Sequence, residues 1–356
     1  MLVLVPTVRY WALVALLLLF AAAPAPATEP CGSLPAGGGP AKLAPPASPT
    51  VLSVGFEILE LTDVDIVRGR FSFESWVVFQ WCDPRLAFDP AQGEAPERIL
   101  RGEAALLHMD TSWQPDLNTT NGTVEVTKRI LRIARDGTVR LEGLFNADLS
   151  AAYDLRRFPL DYQILPIRVE SFTWNADHIV FRPIEGRITI SDAITLAEWD
   201  VTGIGARVEA VAAARDVTPF SRITIDVRID REYGFYVLKV AVPLAIIVML
   251  SWAIFWMTEE SFASRTRASS TGVLTVVAYQ FAIASSLPKV PYLTLLDKLM
   301  VVSFTLIAST VAQSFVVSRA AARNPAHGQR IDAISRWLFP LVYVVAIAVV
   351  LVTRPE

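Results

Sequence analysis

Residues 261–289 read SFASRTRASSTGVLTVVAYQFAIASSLPK. From Ala268 onward the run is long and apolar enough for a helix to cross a bilayer, which takes about 20 residues. Two cations, Arg265 and Arg267, stand at its entrance. Arg267, Thr271, Leu274, Ala278, Phe281 and Ser285 recur three or four residues apart, so a helix puts all six on one stripe. Val273, Val276, Val277 and Ile283 fall on other faces and suit packing. A charge and hydroxyls inside a membrane face water or a bundle interior rather than lipid. The stripe therefore reads as the lining of an aqueous pore made by several copies of this helix. Leu274 and Phe281 would be apolar constrictions that gate by dewetting. The same pattern also fits a bundle helix whose arginines reach back to the headgroups.

Around this stretch the chain divides into two unlike halves. Of its 356 residues 53% are hydrophobic, and beyond about residue 232 long apolar runs dominate. An outer domain over residues 51–232 and a membrane domain over 233–356 account for the contrast. Four spans are expected, at about Tyr236–Met257, Ala268–Ser286, Leu293–Val317 and Leu338–Val352. Arg265 and Arg267 lie between the first two. Arg319, Arg323, Arg330 and Arg336 lie around the link between the last two. With four spans both clusters fall on one side, which is cytoplasmic by the positive-inside rule. The outer domain and the C-terminus then both lie outside. Residues 1–27, ending Ala25-Pro26-Ala27, read as a cleaved secretory signal, and 28–50 as a flexible lead-in. An uncleaved anchor is the competing reading of the first segment.

Residues 51–232 hold short alternating runs, among them Arg70–Trp81 (RFSFESWVVFQW), Val124–Ile133, Val139–Phe145 and Ile223–Ile229. Asp136-Gly137 between two of them is a hairpin cue. An antiparallel, immunoglobulin-like β-sandwich follows. Cys31 and Cys82 are the two cysteines. Export makes a bridge between them possible, and two unpaired thiols are the alternative. His108, His178 and His327 are scattered, and no metal-ligand spacing, phosphate loop or nucleophile elbow occurs. No catalytic residue, metal or cofactor is expected, and the net charge of −3 gives no footprint for nucleic acid. A non-conducting, membrane-anchored periplasmic sensor or adhesion module remains the rival reading.

Several motifs then carry a resemblance. AAYDLRRFPLDYQIL (151–165) is similar to the signature loop of the Cys-loop superfamily, the pentameric ligand-gated ion channels. Ala151 and Leu165 stand where many members have cysteine. WCDPRLAFDP (81–90), SWQPDL (112–117), Glu198-Trp199-Asp200, SWAIFW (251–256) and LPKVPYLTLLDKL (287–299) also resemble segments of prokaryotic members. LTVVAY (274–279) resembles an amine-gated one. The resemblance implies a homopentamer, one chain with four identical subunits in membrane lipid around a central pore for inorganic ions. It implies gating coupling through Pro159, Asp161, Arg231, Pro288 and Lys289, beside the first hairpin near Asp63–Arg68, with Asp161 and Arg231 as a charge pair. It places Glu170, Phe172, Trp174 and Phe220 at a site between subunits, an aromatic box that would suit an ammonium ligand. In AVAAARDVTPF (210–220), however, the tyrosine of the amine-gated relative is missing, and Asn118 replaces an acid. The ligand, small molecule or proton, stays open. Cation-selective members carry Glu just before the basic residue matched by Arg265; here Ala263 and Ser264 precede it. With Arg267 on the stripe, an inner mouth of Ala263, Ser264 and Arg265 implies anion preference. Glu259 and Glu260 could add a ring of the opposite sign.

Overall fold

The computed structural model describes residues 31–32, 44–89, 95–213, 216–256, 262–284 and 290–353. The secretory signal, most of the lead-in, Glu259, Glu260, Ser285, Pro288 and Lys289 lie outside the described residues, as does the side chain of Ala263.

Among the described residues, ten strands make two sheets. They are β1 (Thr50–Asp65), β2 (Arg70–Cys82), β3 (Glu97–Arg101), β4 (Leu117–Thr119), β5 (Gly122–Ala134), β6 (Thr138–Ser150), β7 (Tyr162–Ser171), β8 (Ile179–Ile190), β9 (Trp199–Ala213) and β10 (Asp216–Arg231). One sheet runs β3-β5-β6-β2-β1-β8, the other β4-β7-β10-β9. Alternation sets the faces. On β2, Phe71, Phe73, Ser75, Val77, Phe79 and Trp81 are buried. They meet Ile223, Ile225, Val227 and Ile229 of β10 in one core. One pairing departs from the antiparallel expectation: β1 and β8 are parallel. The cause is topological, because the chain changes sheets between β7 and β8 and arrives beside β1 in the same direction. A short helix, α1 (Glu103–Met109), also interrupts the strands.

The β5–β6 hairpin turns at Asp136-Gly137. Asp136 Oδ1 accepts from Thr138 N at 2.9 Å, and Gly137 has φ +88°. A Cβ at residue 137 would lie 2.5 Å from the Asp83 carbonyl oxygen, so both backbone sign and space call for glycine. The same corner holds Cys31, bonded to Cys82 with Cα atoms 5.8 Å apart. The bridge spans 51 residues. Chain-entropy reasoning gives such a loop about 4 kcal/mol at most. Cys82→Ser is expected to lower the thermal midpoint of the full-length protein, read as a shift in unfolding under non-reducing conditions. An unchanged midpoint would show that the bridge stabilises nothing.

Among the described residues, four further helices follow: α2 (Gly234–Trp256), α3 (Phe262–Ala284), α4 (Leu295–Arg323) and α5 (Pro325–Val352). Among the described residues, α2, α4 and α5 are long and apolar enough to cross a membrane. The expected second span, α3, has 23 residues and the length, but its polar stripe takes it below the apolarity of the others. Helices α4 and α5 also begin or end beyond the apolar runs, because Asn324 caps α5 one residue after α4 stops. Within α2, Pro243 cannot donate to the Lys239 carbonyl, and residues Val237–Ala241 widen into a π turn. Tyr279 of α3 answers this defect. Its hydroxyl points at the carbonyls of Lys239 and Val240, at 3.1 and 2.9 Å.

Candidate functional site

Helix α3 packs with one stripe and leaves the opposite one bare. Ser269 and Val276 are buried against the neighbouring helices, with Gly272, Tyr279 and Ile283 half-buried on the same side. Gly272 lies close to both α2 and α4: a Cβ there would be 3.3 Å from Ser251 and 3.5 Å from Ile307. The opposite side presents Arg267, Thr271, Leu274, Ala278 and Phe281, all exposed on the chain. Both stripes come from one 3.6-residue period, read half a turn apart. Thr271 returns its hydroxyl to the Arg267 carbonyl at 2.9 Å, which satisfies it within the helix.

Arg265 does not share the stripe. Two residues before Arg267, it points the other way around the helix, and its side chain is buried. Its Nη1 and Nη2 each donate to an oxygen of Asp332 on α5 at 2.7 Å. Its inclusion in a cationic mouth is therefore corrected: fork-to-fork pairing with Asp332 draws it into the bundle and offsets its charge. Ser264 before it is half-buried.

The junction between sandwich and helices centres on Asp161 and Arg231. Arg231 Nε donates to Asp161 Oδ1 at 2.8 Å, and Nη2 to Oδ2 at 3.2 Å. The two side chains are 1% and 2% exposed. Gln163 Nε2 donates to Asp161 Oδ2 at 2.6 Å. The guanidinium lies 4.0 Å over the Trp199 ring and 4.8 Å over that of Phe158. Phe158, before the cis peptide to Pro159, packs edge-on against Tyr236 at the start of α2. The loop also grips α4. Arg156 O and Phe158 O accept from the backbone N–H of Leu295 and Leu296, at 2.9 and 3.2 Å. These are first-turn donors that have no partner within their own helix. The Tyr292 hydroxyl accepts from Leu155 N at 3.0 Å. No sequence signal marked these backbone contacts, because a carbonyl is the same at every residue. Nearby, Tyr153 donates to the Arg70 carbonyl at 3.1 Å, at the base of the first hairpin. Burial, then Asp65 and Asp63, push its phenol up from the ordinary range.

One residue past Arg231, the Glu232 carboxyl is held above the usual carboxylate range. Its hydrogen bond to the Asp200 carboxylate is the first cause, and repulsion from that charge the second. Around it stand Glu198, whose carbonyl accepts from Glu232 N at 2.9 Å, and Asp230, which pairs with Arg228.

Glu170 and Phe220 stand on the outer face of the small sheet, Phe172 lies just past the end of β7, and Trp174 packs against the sandwich core. Phe172 is 58% exposed. Trp174 is half-buried, its ring 5.2 Å from that of His178. Phe220, by contrast, is 1% exposed, covered by its own chain. Glu170 Oε2 accepts from Arg222 Nε and Nη2 at 3.1 and 2.9 Å. Cross-strand pairing sets Arg222 directly opposite Glu170, and Asn118 opposite it on the other side. Within one chain the Glu170 carboxylate is thus engaged by a guanidinium, where the resemblance implied an acid beside an aromatic box for an ammonium ligand. The sequence carried that signal in Arg222, two residues after Phe220 on the same strand face.

Residues 41–233 match the model of the neurotransmitter-gated ion-channel ligand binding domain. Residues 240–330 match that of the neurotransmitter-gated ion-channel transmembrane region. The proton-gated ion channel of Gloeobacter violaceus is 26% identical over 306 residues, 84% of this chain and 81% of that one.

Proposed function

The chain belongs to the neurotransmitter-gated ion-channel family, the Cys-loop superfamily of pentameric ligand-gated channels, and from that premise we propose that five copies surround a central pore and pass small inorganic ions across the bacterial inner membrane. In this reading α2 to α5 are four spans, residues 51–232 are the periplasmic ligand-binding domain, and 233–356 form the pore domain. A secretory leader, 1–27, and a lead-in, 28–50, precede them. The observation that carries the proposal is the bare stripe of α3, cationic at Arg267, hydroxyl at Thr271 and apolar at Leu274 and Phe281. Fivefold symmetry would turn each position into a ring.

Anion preference rests on Arg267. Ser264 leaves the position before Arg265 without a carboxylate, and Arg265 itself is paired away from the stripe. Asp161, Pro159 and Arg231, with Pro288 and Lys289 beyond them in the link to α4, would transmit motion of the outer domain. For the stimulus, two observations favour protons over an amine. The Glu170 carboxylate is engaged, and Glu232 takes up a proton at a higher pH than an isolated carboxyl. The Gloeobacter relative is itself named as proton-gated.

The test is the purified full-length protein in planar bilayers, under a tenfold KCl gradient with outer pH stepped downward. Unitary currents are expected to rise on acidification and to reverse toward the chloride potential, about 59 mV for a perfectly selective monovalent pore at tenfold gradient. Glu232→Gln, a fixed mimic of the protonated acid, should move half-activation toward neutral pH. An unmoved pH response would remove Glu232 from the mechanism. Pentameric protein that gives no unitary current at any pH would favour the sensor or adhesion reading.

A further inference from the structure

The inner end of the pore helix is held by a side chain from another helix. Helix α3 begins at Phe262 and carries Arg265 and Arg267 near its first turn. A helix N-terminus is the positive end of the macrodipole, so cations there are placed against it. Among the described residues, the anion that meets Arg265 comes from another helix. Asp332, in the second turn of α5, is buried and accepts both Arg265 donors at 2.7 Å. Gln313 of α4 donates Nε2 to the same Asp332 Oδ1 at 2.9 Å and to Ser335 Oγ at 3.3 Å. One carboxylate thus ties three helices together. Ser269 and Ser314 approach to 3.4 Å one turn further along α3.

We propose that Asp332 is a specificity-determining positioning residue: by holding Arg265 in the bundle, it fixes the rotation of the inner end of α3 and so aims Arg267 at the pore. The proposal rests on the pore reading above. Residues 265 and 267 lie about 200° apart around a helix, so fixing one fixes the other. Asp332 touches no permeant ion; it acts through Arg265.

The test uses Asp332→Asn and the neutral pair Arg265→Gln/Asp332→Asn. The second leaves no lone buried charge and carries the same test should the first fail to assemble. Both are expected to lower the chloride-to-potassium permeability ratio by about threefold or more, since a ring that is no longer aimed screens the pore less well. In an Arg267→Gln background, adding Asp332→Asn should change the ratio no further. A purely structural pair would lower expression and leave the ratio at the wild-type value, which would overturn the proposal. An additive effect in the Arg267→Gln background would overturn it too, by making Asp332 act through its own charge.

A second readout needs no current. The chain's two cysteines are bonded to each other, so Arg267→Cys provides a unique thiol for a nitroxide label. Purified protein carrying the label should give a distance distribution with two narrow peaks, one for adjacent and one for non-adjacent subunits of a fivefold ring. The neutral pair should broaden it, and an unchanged distribution would sink the pin. A non-conducting wild type would leave this measurement intact, so failure of the channel reading and failure of the pin are distinguishable.

Discussion

In Arg231→Ala, gating is expected to vanish at normal surface expression. The reason lies in how the pair is enclosed. Asp161 and Arg231 are both buried, and the guanidinium is also sandwiched near Trp199 and Phe158. Removing one partner of such a pair leaves an uncompensated buried charge, at a cost of about 3–5 kcal/mol. A domain with about 5–15 kcal/mol of stability can still fold after that loss. What it cannot keep is the position of the 155–161 loop. Asp161 anchors the loop from the sandwich side, while Arg156 O and Phe158 O hold the first turn of α4 from the other. A displaced Asp161 therefore decouples the outer domain from the helices that flank the pore. Asp161→Asn should do the same. Arg231→Gln/Asp161→Asn should recover thermal stability relative to either single change, because no lone charge remains, without recovering gating. Paired current recordings and unfolding scans separate the two losses. Wild-type-like currents from Arg231→Ala would reject the role.

The parts of this molecule that were legible in the sequence are those with a local period or a local turn. Alternation along Arg70–Trp81 is the inward face of β2, and Asp136-Gly137 is the turn between β5 and β6. The stripe from Arg267 to Phe281 needed only the 3.6-residue repeat. The parts that misled were decided by residues far away in the chain. Arg265 reads as a mouth residue until Asp332, 67 positions later, is placed beside it. The partner of Glu170 is likewise hidden until the register of β7 and β10 sets Arg222 opposite it. The grip of the 155–158 loop on α4 uses backbone carbonyls, which leave no trace in side-chain identity. The π turn in α2 has a visible cause in Pro243, but its remedy, Tyr279, lies on another helix.

Arg267→Glu is expected to invert the sign of the reversal potential in a KCl gradient. Five subunits would place five guanidiniums around one level of the pore. An ion about 6 Å from each of five unit charges in water feels about 3.5 kcal/mol, and a Debye length of about 8 Å cuts this to roughly half. Tenfold discrimination needs about 1.4 kcal/mol. The ring is therefore sufficient by itself, without Arg265, whose charge is offset by Asp332. Arg267→Gln should bring the reversal potential toward zero, and Arg267→Glu should carry it past zero to the potassium side. The side chain is exposed at this position, so neither change disturbs the packing of α3. Thr271→Ala is the control one turn along: it removes a hydroxyl bonded within the helix and leaves the ring charge alone, so its reversal potential should match wild type. If Arg267→Glu still reversed at the chloride potential, selectivity would have to be set at another level of the pore, and the argument from this ring would fail.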